Sequence, residues 1–142
     1  MDFRVRVTGV LVEDGSILLV RQRVNGNRDW VAWNLESRWS SASREIREET
    51  GLEVELRRLL YICDLMEPDR QALHITVEIR RTGGHLVLGT EPELDANPIS
   101  DVRFVPIQHL TQHHFSETFM HLAVKEFPDA GRYAGDIQNI GL

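Results

Sequence analysis

The residues best equipped for chemistry are three glutamates in one short string, Arg44-Glu45-Ile46-Arg47-Glu48-Glu49-Thr50-Gly51-Leu52. At about 100° per residue, taking Glu45 as zero, Glu48 falls near about −60° and Glu49 near about +40°. A helix would therefore gather three carboxylates within an arc of about 100°. Like charges at i,i+3 and i,i+4 cost an isolated helix roughly 0.2–0.5 kcal/mol per pair. Anions in the last turn also oppose the helix dipole. Arg44 is spaced to pair with Glu48 and offset part of this cost. A hard divalent cation offsets more, because carboxylate oxygens are the ligands that Mg²⁺, Mn²⁺ and Ca²⁺ select. The plainer reading is a solvated face of good helix formers, and charge pattern by itself favours it.

Several elements must position this string. Ser40 to Thr50 is rich in helix formers, with a serine run to cap its start. Gly51 follows where a left-handed C′ residue favours glycine. Ile46 and Ala42 lie beside the acidic arc and are the anchors expected to hold the helix on a sheet. Ahead of it, Phe3 to Leu11 alternates as a strand, Asp14-Gly15 signals a turn, and Ser16 to Val24 reads as a second strand. Asn25-Gly26-Asn27 marks a loop. Beyond the helix, Val54 to Asp64 and Gln71 to Thr82 read as strands. In the latter, Leu73, Ile75, Val77 and Ile79 face one way and His74, Thr76, Glu78 and Arg80 the other. Gly83-Gly84 predicts a turn into a short strand, His85 to Leu88. Glu91 to Asp101 has turn composition, Val102 to Val105 is a brief strand, and Ser116 to Phe127 is a second helix capped by Ser116. Strands, helix, strands, helix is the order of an α/β sandwich with a mixed sheet.

The chain of 142 residues is the size of one domain, 1–142, with a core that needs no staples. Its net charge of −6 argues against nucleic acid as a partner, because neutralising phosphates needs a basic surface. No apolar run approaches a membrane-spanning length. Met1 to Arg6 lacks the apolar block of a signal peptide, and the lone Cys63 fits a reducing compartment, so a soluble cytoplasmic domain is expected. Cys63 itself reads as a small core residue. His109, His113, His114 and His121 match no ligand spacing and read as surface or core histidines.

Here the string resembles the box of the Nudix hydrolase family: Gly, five residues, Glu, seven residues, then Arg-Glu-apolar-x-Glu-Glu-x-Gly-apolar. Arg44 to Leu52 match its last nine positions, and counting back past seven residues reaches Glu36. The opening hairpin, the strand after the box and Asp101 to Leu110 leading into a final helix are similar as well. The resemblance implies a Nudix-like α/β/α sandwich. It implies a hydrolase that cleaves the pyrophosphate bond of a nucleoside diphosphate linked to another moiety, ADP-ribose-like or a nucleoside triphosphate. Glu45, Glu48 and Glu49 would hold Mg²⁺, with Mn²⁺ as a substitute, and Arg44 would orient a carboxylate. Glu93, in preference to Glu91, occupies the region that often supplies an extra ligand or base, and Glu36 would be an outer-shell partner near the substrate. Pro68, sixteen residues beyond Leu52, resembles the ADP-ribose pyrophosphatases of the family, although a plain turn residue is the default. Homodimers are common in the family, and a homodimer is expected on that basis.

The chain departs from the family ahead of the helix. The box glycine position is Trp30, and the usual Pro-Gly-Gly loop is missing from Asp29-Trp30-Val31-Ala32-Trp33-Asn34-Leu35-Glu36. Either Glu36 is the box glutamate with tryptophan in place of glycine, or the loop has lost about five residues and Trp30 is the aromatic that often precedes it. Glycine there lets the backbone approach metal and pyrophosphate, which a tryptophan cannot do. Trp30, Trp33 and Trp39 are candidates to stack a nucleobase or form a subunit contact; the plainer reading packs them onto the helix. The rival function is therefore a Nudix-fold nucleotide-binding or regulatory module without turnover.

Overall fold

A computed structural model of the chain describes residues 3–24, 27–35, 39–66, 68, 71–87 and 99–142. The first strand, β1 (Phe3–Glu13), turns at Asp14-Gly15 into β2 (Ser16–Val24). Both turn residues have positive φ, 50° and 75°, the geometry whose twist matches a tight hairpin. The chain continues through β3 (Asn27–Val31), β4 (Trp33–Leu35), α1 (Trp39–Thr50), β5 (Leu52–Met66), β6 (Gln71–Gly84) and β7 (Ile99–Pro106). A 3-10 segment (Ile107–His113), α2 (Glu117–Val124), β8 (Arg132–Asp136) and a second 3-10 turn (Ile137–Ile140) complete it.

The sheet is mixed. Its spine runs β3-β2-β1-β6-β5-β8, with β4 added on β1 and β7 on β2. β1 is parallel to β6 over Phe3↔Gln71 to Leu11↔Ile79, and β5 is parallel to β8; the other pairings are antiparallel. β2 pairs with β1 only at Val12↔Ile17 and Glu13↔Ser16, then diverges to lie between β3 and β7. β4 takes the vacated edge of β1 at Val7, Thr8 and Gly9. This divergence opens the sheet near the start of β1.

Helices cover both faces. Val10, Ile17, Leu19, Val105, Phe119 and Ala123 belong to one core beneath α2. Leu11, Leu18, Val20, Ile46 and Val102 belong to another beneath α1. Adjacent residues of β1 and β2 enter opposite cores, as the two-residue period of a strand requires. The result is the expected α/β/α sandwich.

Several local expectations change. Asn27, the last residue of the expected Asn25-Gly26-Asn27 loop, opens β3, and the segment on to Leu35, for which no element was expected, carries β3 and β4 through pairing to β2 and β1. Residues 85–87 are not a strand; β6 itself runs through Gly84, and Val87 N–H donates instead to Thr50 C=O at 2.8 Å. Leu88 and Glu91 lie outside the described residues. The second helix ends at Val124, not Phe127, which has a positive φ. β5 is longer than expected and shifts register three times against β6, and β8 has no signal in the chain's alternation.

Candidate active site

α1 is seated by Ile46, which is fully buried against the sheet. Its C-terminus is fixed by three interlocking features. Thr50 is buried; its Oγ1 donates to Ile46 C=O at 2.5 Å and accepts from Leu52 N–H at 3.2 Å. Gly51 N–H donates to Arg47 C=O at 2.9 Å, and Gly51 itself has φ 78°. A Cβ at Gly51 would strike the His85 carbonyl and come within 2.7 Å of Val87 Cγ2. The glycine of the string is thus needed for both backbone sign and close approach.

This seat sets the orientation of the carboxylates. Glu45 and Glu49 are half-buried on one flank of the Ile46 anchor, while Glu48 and Arg44 project into solvent. Arg44 Nε lies 3.9 Å from Glu48 Oε1, the anticipated i,i+4 pair, with side chains 66% and 62% exposed. A pair so exposed contributes little, which leaves Glu48 free to turn. Ser43, Arg44 and Arg47 line a shallow cleft with Glu53 and Val54 on the other flank. Among the described residues no three His, Cys, Asp or Glu side chains converge. The donor chemistry still suits a hard cation, because Mg²⁺ is held by one or two carboxylates and leaves its other positions to water and phosphate oxygens. Glu36, Glu91 and Glu93 lie outside the described residues. β4 ends at Leu35 and α1 begins at Trp39, so three residues join them.

The opposite face of the sheet holds polar groups that sequence reasoning did not assign. His74, Thr76 and Glu78 lie on the α2 side of β6 and are 3%, 0% and 5% exposed. Their alternation with Leu73, Ile75, Val77 and Ile79 was legible; their burial was not, because it requires α2 and the C-terminal segment to cover that face. Glu78 accepts from Arg57 Nη1 and, at 3.1 Å, from Arg58 Nη2, on the wall of a cavity of about 570 Å³ near the Asp14-Gly15 turn. Arg58 also donates to Glu126 C=O at 3.0 Å, tying β5 to the end of α2.

A second pocket, of about 230 Å³, lies where β1 and β2 diverge. Its lining includes Arg6, Trp30, Ala32, His74, Phe115 and Ile137. Trp30 is half-buried against the core beneath α2. The Arg103 guanidinium sits 4.7 Å over its ring, and the His113 ring meets it edge-on at 5.8 Å. His113 Nδ1 lies 2.9 Å from His109 C=O. Trp30 therefore lies on the face of the sheet opposite α1. Trp33 and Trp39 are placed in β4 and at the start of α1. His74 has neither ring nitrogen hydrogen-bonded, and Thr76 Oγ1 is likewise unpaired among the described residues. Burial, and secondarily the Arg6 charge, push His74 down to about 4, so the ring is neutral at pH 7. Cys63 is buried, as anticipated, and desolvation raises its thiol. His109 and His121 are exposed, and Pro68 sits in an exposed bend.

No protein-family model matches the chain, and no curated protein matches it by sequence. Solved structures do match. The chain is similar to a UDP-X diphosphatase at 20% identity, covering 94% of this chain and 68% of that one, with a TM-score of 0.67. It is similar to a Nudix hydrolase from Nitrosomonas europaea at 17% identity, covering 80% and 78%, TM-score 0.64. It is also similar to an ADP-ribose pyrophosphatase from Streptococcus suis at 15% identity, covering 94% and 98%, TM-score 0.61. The fold is that of the Nudix hydrolases. No helix among the described residues is long and apolar enough to cross a membrane.

Proposed function

We propose that this chain is a Nudix hydrolase that cleaves the pyrophosphate bond of a nucleoside diphosphate linked to another moiety, with Mg²⁺ or Mn²⁺ as cofactor. The observation that carries the reading is the seat of α1: Ile46, Thr50 and Gly51 fix the helix so that Glu45 and Glu49 stand half-buried on one flank. Those two would hold the ion, and Glu48 joins them on leaving its solvent-exposed pair with Arg44. When bound, the ion offsets phosphate charge and lowers the pKa of water. Water attacks one phosphorus, the bridging P–O bond breaks, and two phosphate monoesters leave. Glu45 or Glu93 takes up the proton on a carboxylate oxygen. Arg44 orients a carboxylate by charge-assisted hydrogen bonding.

The test is product formation from ADP-ribose, nucleotide sugars, nucleoside triphosphates and dinucleoside polyphosphates, with Mg²⁺ or Mn²⁺. At least one substrate is expected to turn over, and Glu49→Gln to lower its kcat by on the order of 100-fold. The three-residue connection between β4 and α1 favours a second reading, a nucleotide-binding module without turnover. Under that reading nucleotides bind but none of the panel is hydrolysed.

A further inference from the structure

We infer that the cavity of about 570 Å³ beside the Asp14-Gly15 turn is a second ligand site, and that it takes a small zwitterion with an apolar body, of the α-amino acid class. The cavity lies on the face of the sheet opposite α1, since Val12, Ile107, Ala123 and Phe127 on its wall belong to the core beneath α2 or pack against it. It also stands at the far end of that face from the pocket that holds His74: β1 gives Arg6 and Thr8 to the one and Val12 to the other. The inference therefore does not rest on the hydrolase reading.

The first observation is how the wall is built. β5 bulges against β6 between Leu56↔Ile79 and Arg58↔Glu78, and Arg57 is the extra residue. Consecutive strand residues point to opposite faces, but the bulge turns Arg57 to the side of Arg58, and both guanidiniums donate to the Glu78 carboxylate. Glu78 carries one negative charge, so one guanidinium compensates it and the second is in excess. Arg57 is the more exposed of the two, 59% against 37%, and gives Glu78 a single Nη1 contact. The rest of its planar fork is available to a carboxylate.

The second observation is the opposite charge. Asp14 and Glu126 line the same cavity, both are exposed, and neither carboxylate has a hydrogen-bond or ion-pair partner among the described residues. Arg58 Nη2 donates to Glu126 C=O at 3.0 Å, which keeps that residue beside the arginines. One excess guanidinium and two uncommitted carboxylates complement a ligand that bears one carboxylate and one ammonium. A phosphate dianion would meet the same two carboxylates as repulsion. The third observation is the remaining wall, where Val12, Ile107, Ala123, Val124 and Phe127 offer hydrocarbon surface to the body of the ligand. The volume falls within the roughly 300–1,000 Å³ of small-molecule pockets.

The experiment is calorimetric titration of the full chain, without metal, with leucine, phenylalanine, leucinamide, isocaproate and inorganic phosphate. Leucinamide lacks the carboxylate of leucine and isocaproate lacks its ammonium. The expected result is millimolar or tighter binding of leucine or phenylalanine, with both single-charge analogues weaker than leucine by roughly tenfold or more. Arg57→Gln is expected to weaken the amino acid by roughly tenfold or more, and Glu126→Gln by roughly threefold. Arg58 still pairs with Glu78 in the first variant, and the second removes a side chain charge that holds nothing in the fold. Should Arg57→Gln fail to fold, the two analogues and Glu126→Gln decide. Binding of neither amino acid at millimolar concentration overturns the inference, as does equal binding of either analogue or unchanged affinity in a folded Arg57→Gln. Phosphate bound in preference to the amino acids, and lost in Arg57→Gln, overturns it as well.

Discussion

His74 is neutral at pH 7 because burial opposes its charge and Arg6 adds to that opposition. The sign of the resulting pH dependence follows. Above its ordinary value of 6.5 the ring is neutral in folded and unfolded chains alike and contributes no pH dependence. As pH falls from 6.5 to about 4, the unfolded chain takes up a proton that the folded one refuses, so the folded state loses stability. The full loss is about 3 kcal/mol, reached near the lower value. His74→Leu removes this dependence. Urea unfolding midpoints of the variant and parent are therefore expected to converge at pH 7 and separate at pH 4.5, with the variant the more stable. Equal separation at both pH values would contradict the assignment of the shift to this ring. The carboxylates of α1 act on a different quantity. Glu49→Gln is expected to lower kcat by on the order of 100-fold, measured as product formation at saturating metal and substrate.

At the scale of elements, the junction between α1 and β5 decides whether those carboxylates are presented at all. Gly51 combines a positive φ with contact against residues 85–87, whereas Gly15 has a positive φ and open space around it. Both glycines therefore carry a backbone cost on substitution, and Gly51 alone carries a clash as well. Gly15→Ala is expected to cost about 1 kcal/mol and Gly51→Ala about 3 kcal/mol or more, measured by urea unfolding. Thr50→Val removes the hydroxyl that joins Ile46 C=O to Leu52 N–H and leaves both without it in a buried site. A loss of about 1–3 kcal/mol is expected, with kcat falling as the helix end loosens. If Gly51→Ala and Gly15→Ala cost the same, the close approach to Val87 is not what holds the helix end.

At the scale of the molecule, two cores share one sheet, and the C-terminal segment seals the one beneath α2. Ile140 is buried there, Tyr61 Oη donates to Pro128 C=O at 2.6 Å, and Gly131 N–H donates to Leu60 C=O at 2.7 Å. Ser116 Oγ, the cap of α2, also donates to Gly141 C=O at 2.8 Å. Deleting residues 129–142 is expected to lower stability by about 3 kcal/mol or more and to expose the face that holds His74. An unchanged urea midpoint would show that this seal contributes nothing.

Much of this organisation was legible in the chain. The alternation of β1, the Asp14-Gly15 turn, the Ser116 cap, and the spacing from Arg44 to Leu52 with its terminal glycine are local signals. Each is written by neighbours a few residues apart, so helix and strand periods fix it. The segment from Asn27 to Leu35 was not legible, because its strands exist only through pairing with β2 and β1. The burial of His74, Thr76 and Glu78 was not legible either: alternation states that they share a face and is silent on what covers it. By itself the sequence determined β1, the first hairpin, the two α-helices and the spacing of the string from Arg44 to Leu52. Only the tertiary structure decided that Trp30 and His74 meet in one pocket, since residues far apart in the chain are brought together by long-range pairing and burial, which no local pattern encodes.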